Sequence, residues 1–242
     1  MDTVNKPGSI HDTEFRPGEN KSFSILLAEF MRKYRVFFLG IVAVALISVA
    51  GIAIWSAVSN SRASVSINRI EILSDDLASW LSETDESKKA ELEQALSSSL
   101  DEVLKKYPRL FAAQRAHAMK ARIFEEKKEW TSAEKEWATI AEQFKTAYIA
   151  PIALQHAASA AEENGDPLKA FEYLKTLVEK YSGKSIGIPH AYFTLGRLSE
   201  DSKDYVAALA SYEKLAAAYP DDDWTKLAKD RIILIKSRGL VK

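Results

Sequence analysis

Cysteine is absent from all 242 residues. That absence excludes disulfide staples, thiol nucleophiles, cysteine-bound metal and the acyl-cysteine anchor of bacterial lipoproteins. An excess of either charge is missing too, with 33 Lys and Arg against 34 Asp and Glu. The first 58 residues hold 6 and 5 of these, leaving 27 against 29 in the other 184. So even a balance gives no electrostatic footing for nucleic acid. No Gly-rich phosphate loop, nucleophile elbow or HExxH motif occurs. Histidine is sparse: His11, His117, His156 and His190. The last three share no consistent spacing with a carboxylate, so packed or surface histidines are expected rather than metal ligands. No catalytic residue, metal or cofactor is expected, and the chain reads as a non-enzyme.

Charge is also missing from Val36 to Val58 (VFFLGIVAVALISVAGIAIWSAV), 23 consecutive positions. A helix rises about 1.5 Å per residue and a bilayer's hydrocarbon core is about 30 Å thick, so this run crosses it with room for tilt. A helix apolar on every side inside a soluble protein needs a larger surrounding core than this chain offers. Arg32, Lys33 and Arg35 precede the run, whereas only Arg62 follows before Arg69. Positive charge stays on the cytoplasmic side, which places the N-terminus inside and the residues after Ser59 across the membrane. Tyr34 and Trp55 stand near its two ends, where amphipathic rings favour the interface. A cleaved signal peptide is the rival, since Ala57-Val58-Ser59 offers small residues. The run exceeds the roughly 7–15 residues of such an apolar region, and a long segment precedes it.

Five segments follow from the pattern. Residues 1–20 are polar and broken by Pro7-Gly8 and Pro17-Gly18, which predicts a disordered cytoplasmic tail. Residues 21–35 carry Phe23, Leu26, Leu27, Phe30, Met31 and Tyr34 at helical steps, an amphipathic juxtamembrane helix. Residues 36–58 are the transmembrane helix. Residues 59–89 form a connecting helix with a stripe of Ile67, Ile70, Leu73, Leu77 and Trp80. Residues 90–242 form a helical solenoid with a C-terminal capping helix, and no strand is evident. The polar stretch from Ser82 to Ser87 should let the Ile67–Trp80 stripe fold back on Leu92, Leu96, Leu100 and Val103 as an antiparallel hairpin, stopped by Pro108.

The solenoid is written in a repeat. Tyr107, Phe144, Tyr181 and Tyr219 recur at intervals of 37, 37 and 38 residues. Eleven positions before each stand Leu96, Ala133, Ala170 and Ala208, and seven before stand Leu100, Trp137, Leu174 and Tyr212. Such a period marks stacked helical hairpins, each too small to bury its own apolar face. Ala121, Ala158 and Gly196 are small where the first helix of a unit must cross Ala133, Ala170 and Ala208 of the second. Asp166 before Pro167, and Asp204, begin second helices as N-caps. Glu125-Glu126, Glu162-Glu163 and Glu200-Asp201 sit at equivalent positions at the ends of first helices, where solvated charge is expected. After Pro220, Trp224, Leu227, Ala228, Arg231, Ile232 and Ile235 continue as the closing helix, with Lys226, Lys229, Asp230 and Lys236 outward.

The last unit, Tyr192-x-x-Leu195-Gly196, Ala208-x-x-x-Tyr212 and Pro220, resembles the tetratricopeptide repeat (TPR), whose pattern runs W-x-x-L-G, A-x-x-x-F, P over about 34 residues. The earlier units depart from it: His117 and Leu154 replace the first aromatic residue, and Lys145 and Ser182 replace the proline. The resemblance covers roughly residues 90–238 and implies a TPR-like solenoid; with the single transmembrane helix read from the uncharged run, the expected fold is all-α. It also implies a concave partner-binding face lined by first helices. Carried over, that face includes Arg115, Arg122, Gln155, Ser159, His190, Phe193 and Arg197, with Ala118 and Ile152 between them. Arg122 and Arg197 would meet acidic or C-terminal groups of a partner, and Phe193 an apolar one. Ordinary solvated side chains are the competing reading. The residues expected to pack the repeats are Ala121, Ala133, Trp137, Ala158, Ala170, Leu174, Gly196, Ala208 and Tyr212.

The lead-in from Leu27 to Arg35 (LAEFMRKYR) and the span exit from Ala50 to Trp55 (AGIAIW) are similar to those of the bacterial inner-membrane TPR family associated with the Sec translocon. That resemblance implies a single-pass inner-membrane protein with a periplasmic C-terminal domain. It would act as an adaptor in protein export, with translocon subunits, periplasmic chaperones or exported chains as partners. A structural scaffold for envelope assembly or cell division is the alternative.

Overall fold

The computed structural model describes residues 23–241. The tail expected over 1–20 lies outside them. Among the described residues the chain forms ten helices and no strand. It divides into two compact units, which meet in sequence between Ser59 and Asn60.

The described part of the first unit holds α1 (Phe23–Lys33) and the start of α2 (Arg35–Ser82). The apolar side chains of α1 from Ile25 to Met31 are exposed, and the Phe30 ring lies 4.8 Å from that of Tyr34. Helix α2 is the one described helix long and apolar enough to cross a membrane, and none of its apolar window is buried. Within the apolar stretch 36–58 the Ser48 hydroxyl donates to the Val44 carbonyl at 2.8 Å, so the helix satisfies that group by itself.

In the second unit, the rest of α2 pairs with α3 (Glu86–Lys106). Arg62 donates to the Lys106 carbonyl at 3.2 Å and Arg69 to the Ser99 hydroxyl at 3.4 Å. As one partner advances seven positions the other retreats seven, which is the register of an antiparallel pair. Asp85 ends the break between them by accepting from the Ser87 and Lys88 amides, a capped start for α3. Ile70, Leu73 and Trp80 pack with Leu96, Leu100 and Val103, and with Met119 and Ile123 of the next helix.

Three further hairpins follow: α4 (Phe111–Glu126) with α5 (Trp130–Gln143), α6 (Ile149–Glu163) with α7 (Pro167–Tyr181), and α8 (Ile188–Asp201) with α9 (Tyr205–Ala218). Helix α10 (Asp223–Ser237) closes the row. Asp166 accepts from the Lys169 amide with Pro167 in the first turn, and Asp204 accepts from the Ala207 amide. One core runs through α4 to α8 and a second joins α8, α9 and α10. Ala121, Ala133, Ala158, Ala170 and Ala208 are buried, as are Trp137, Leu174, Gly196 and Tyr212.

These three hairpins turn through the same device. Glu129, Asp166 and Asp204 amides reach back to the carbonyls of Phe124, Ala161 and Ser199, the long bond of a Schellman motif. The residue before each is left-handed: Lys128 (φ 58°), Gly165 (φ 77°) and Lys203 (φ 63°). Only the middle turn uses the residue that adopts this geometry without strain. Lys203→Gly should therefore stabilise the last hairpin by about 0.5–1 kcal/mol, read as slower hydrogen exchange across the α8–α9 turn.

Candidate partner-binding groove

The first helices carry the candidate groove, and the structure gathers only part of the expected set. Gln155, Ser159, His190, Phe193 and Arg197 line one depression between α6, α8 and α10. Arg115 and Arg122 stand exposed on α4, outside it. Ala118 packs half-buried against the main core, whereas Ile152 lines a neighbouring depression. Five residues of the groove were not expected there: Ala158 and Leu174, expected as repeat-packing residues, and Glu162, Thr194 and Trp224. Trp224 was legible as an apolar position of the closing helix, but its place in the groove needs α10 to fold across α8.

Aromatic rings form the wall. The Trp224 ring lies 4.4 Å from that of His190 and 5.1 Å from that of Phe193, which in turn lies 5.6 Å from Tyr212. His190 is built into this wall as a neutral group. Burial and then the nearby Arg197 charge push its pKa below the ordinary 6.5, against a smaller opposing pull from Glu162. The Gln155 side-chain nitrogen lies 2.8 Å from Nδ1, and the Thr194 hydroxyl lies 3.4 Å from Nε2. With a neutral ring, Gln155 donates to Nδ1 and the proton sits on Nε2.

Arg197 does not stand free for a partner. Its Nη2 donates to both Glu162 oxygens at 2.7 Å, and its Nη1 donates to Asp201 at 3.2 Å. This pair belongs to a series. In the last turn of α4, Glu125 accepts from the Trp137 indole at 2.7 Å and lies 3.6 Å from His156, whose ring stacks on Trp137 at 4.4 Å. In the last turn of α8, Glu200 accepts from the Tyr212 hydroxyl at 2.7 Å and from Arg231 Nε at 2.9 Å, and it pairs again with Arg231 Nη2. The expectation of solvated charge at Glu125, Glu162 and Glu200 is thus corrected. Each carboxylate is partly buried and links its own hairpin to a side chain further along the stack: His156 on α6, Arg197 on α8 and Arg231 on the closing helix α10. The described histidines are each held by neighbouring side chains, His117 Nδ1 lying 2.5 Å from Glu136.

Burial raises the Glu200 carboxyl, but the hydrogen bonds from Arg231 and Tyr212 outweigh it and hold its pKa below the ordinary 4.5. A depressed native pKa means stability present above pH 4.5 and lost as pH falls through the native value. Glu200→Gln should flatten this acid limb of the stability profile, measured by thermal unfolding between pH 3 and pH 6, while lowering stability at neutral pH. An unchanged acid limb would exclude Glu200 as a contributor.

The TPR family profile matches residues 190–222, the hairpin that supplies His190, Phe193 and Arg197. A "TPR repeat-containing protein" of Treponema pallidum is 32% identical over 131 residues, which is 53% of each chain. The chain thus spans about half the length of the curated relative it matches. No solved structure matches this chain. The fold is all-α with TPR repeats, and such repeats point to a role in binding proteins.

Proposed function

We propose that this chain is a membrane-anchored TPR adaptor without enzymatic activity. Its apolar helix would hold the stack at the outer face of a bacterial inner membrane, with the N-terminus cytoplasmic. The single observation that carries the binding role is the open groove between α6, α8 and α10. There the exposed Ser159 and the half-buried Gln155, Phe193 and Trp224 lie side by side on one concave face. The similarity of the span and its lead-in to the translocon-associated family supports protein export as the process. Translocon subunits, periplasmic chaperones or exported chains are then the partners.

A photocrosslinker placed at Ser159 in the full-length membrane protein tests this. Capture of translocon subunits, chaperones or exported chains is expected; capture confined to envelope-assembly or division machinery would replace the adaptor by a scaffold. Topology is separately testable because the chain has no cysteine of its own. Ser185→Cys would be the sole thiol, and a membrane-impermeant maleimide should label it in cells with a permeabilised outer membrane. Labelling only after the inner membrane is broken would reverse the proposed topology.

A further inference from the structure

The groove does not stop at His190. It shares Gln155, His190 and Trp224 with a second depression, lined also by Tyr148, Ile152 and Ile186. That one shares Tyr148, Pro151 and Lys184 with a third, which Lys145 and Lys180 line as well. Through these shared residues the three depressions adjoin one another in a row along the second unit, together a trough. Its far end is built from the α5–α6 and α7–α8 connections, held together where the Tyr181 hydroxyl donates to the Lys145 carbonyl at 2.8 Å.

The trough changes character along its length. At the Arg197 end the charge is already neutralised by Glu162 and Asp201. In the middle, Tyr148 is 79% and Ile186 94% exposed, large apolar surface left to water. At the far end Lys145, Lys180 and Lys184 are exposed, and none of them forms an ion pair among the described residues. Unneutralised positive charge beside uncovered apolar surface is complementary to one kind of occupant.

Resting on the binding role proposed above, we propose that the partner is an extended peptide segment carrying acidic side chains beside large apolar ones. The acidic side chains sit in the mouth formed by Lys145, Lys180 and Lys184. The apolar ones lie along Tyr148 and Ile186 towards Trp224. The anion is therefore received at these lysines and not at Arg197, whose release from Glu162 would leave a partly buried carboxylate unpaired. A flat bilayer could meet the lysines, but it could not follow the trough inward to the half-buried Ile152 and His190.

The probe is a fluorescein-labelled peptide of roughly ten residues, three Asp or Glu followed by three large apolar residues. Amidation of its C-terminus leaves side chains as the only carboxylates. Binding to the full-length protein in mild detergent is read by fluorescence polarisation. Replacing the acids of the peptide by lysine should weaken binding about tenfold or more, and so should Lys145→Glu, Lys180→Glu and Lys184→Glu combined. Tyr148→Ala with Ile186→Ala should weaken it about fivefold at unchanged salt dependence. All five positions are exposed, so an unchanged unfolding temperature verifies that each variant is folded. Equal affinity for acidic and lysine peptides, or no response to the triple reversal, would overturn the proposal. So would lysine-dependent capture of anionic phosphatidylglycerol vesicles without peptide selectivity. Ser159 crosslinks that persist in the triple variant, together with absent peptide selectivity, would overturn this inference and leave the adaptor reading standing.

Discussion

Tyr212→Ala should cost about 4 kcal/mol of local stability, the range for emptying a fully buried aromatic site. Tyr212 has no exposed surface, and its ring lies where a side chain on Gly196 would begin. The ring also backs Phe193 in the groove wall, and its hydroxyl donates to Glu200. Burial and then the Glu200 carboxylate push the Tyr212 hydroxyl pKa up, so it remains a donor at any ordinary pH. Tyr212→Phe removes that one bond and leaves Glu200 with Arg231, for a loss of about 1–2 kcal/mol. The sharper test is the pairing with Gly196. A Cβ there would lie 2.6 Å from Cζ and 2.7 Å from Cδ1 of the ring, too close for a rigid aromatic to accept. Gly196→Ala alone should destabilise by about 1–2 kcal/mol, overpacking outweighing the gain in helix propensity. In the Tyr212→Ala background the same methyl enters the vacated space, and Gly196→Ala should become stabilising. Hydrogen-exchange protection of α8 and α9 in the four proteins measures the cycle. Additive effects would mean that the two positions do not share that space.

Trp80→Ala should cost a similar amount, about 4 kcal/mol, in the first hairpin of the second unit. The contrast lies in the conservative variant. Trp80 is 1% exposed, in the core that also holds Ile70, Leu73, Leu96 and Leu100, with the Lys89 ammonium 5.2 Å from its ring. Its indole N–H has no hydrogen-bond partner among the described residues. Burying such a donor unpaired costs about 1–3 kcal/mol, which Trp80→Phe removes while keeping most of the apolar area. The phenylalanine variant should therefore fall within about 1 kcal/mol of the native protein, unlike Tyr212→Phe, whose hydroxyl has a partner to lose. Exchange protection in α3 and in residues 60–82 decides it. A loss as large as that of the alanine variant would show that indole volume, rather than the N–H, dominates the site.

Much of this fold was legible because its causes are local. Helix starts at Asp166 and Asp204 follow from one side chain accepting an amide three residues on. The stripe of Ile70, Leu73 and Trp80, and the later one of Leu96, Leu100 and Val103, follow from helical periodicity. The turns were only half legible. Gly165 carries its left-handed requirement in its identity, but Lys128 and Lys203 adopt the same geometry with no trace in the residue type. There the Schellman hydrogen bonds override the local preference.

The candidate groove was less legible for a different reason. Five expected residues meet there because they share the inward face of α6 and α8, a matter of period. Whether Arg197 is free or paired could not be read the same way. The carboxylate contacts span 31 residues from Glu125 to His156, 35 from Glu162 to Arg197 and 31 from Glu200 to Arg231. No constant spacing links them, because the partner side chain sits at different depths on α6, α8 and α10.

The sequence by itself determined the apolar helix after Arg35, the hairpin period and the small residues at the helix crossings. Each depends on properties a residue carries wherever it is placed: length, hydropathy, volume. Only the tertiary structure decided that the repeated glutamates bridge hairpins, that Trp224 returns to wall the groove, and that unpaired lysines stand at its far end. Those depend on the stagger between neighbouring helices. Packing of side chains sets that stagger, and distance along the chain does not encode it.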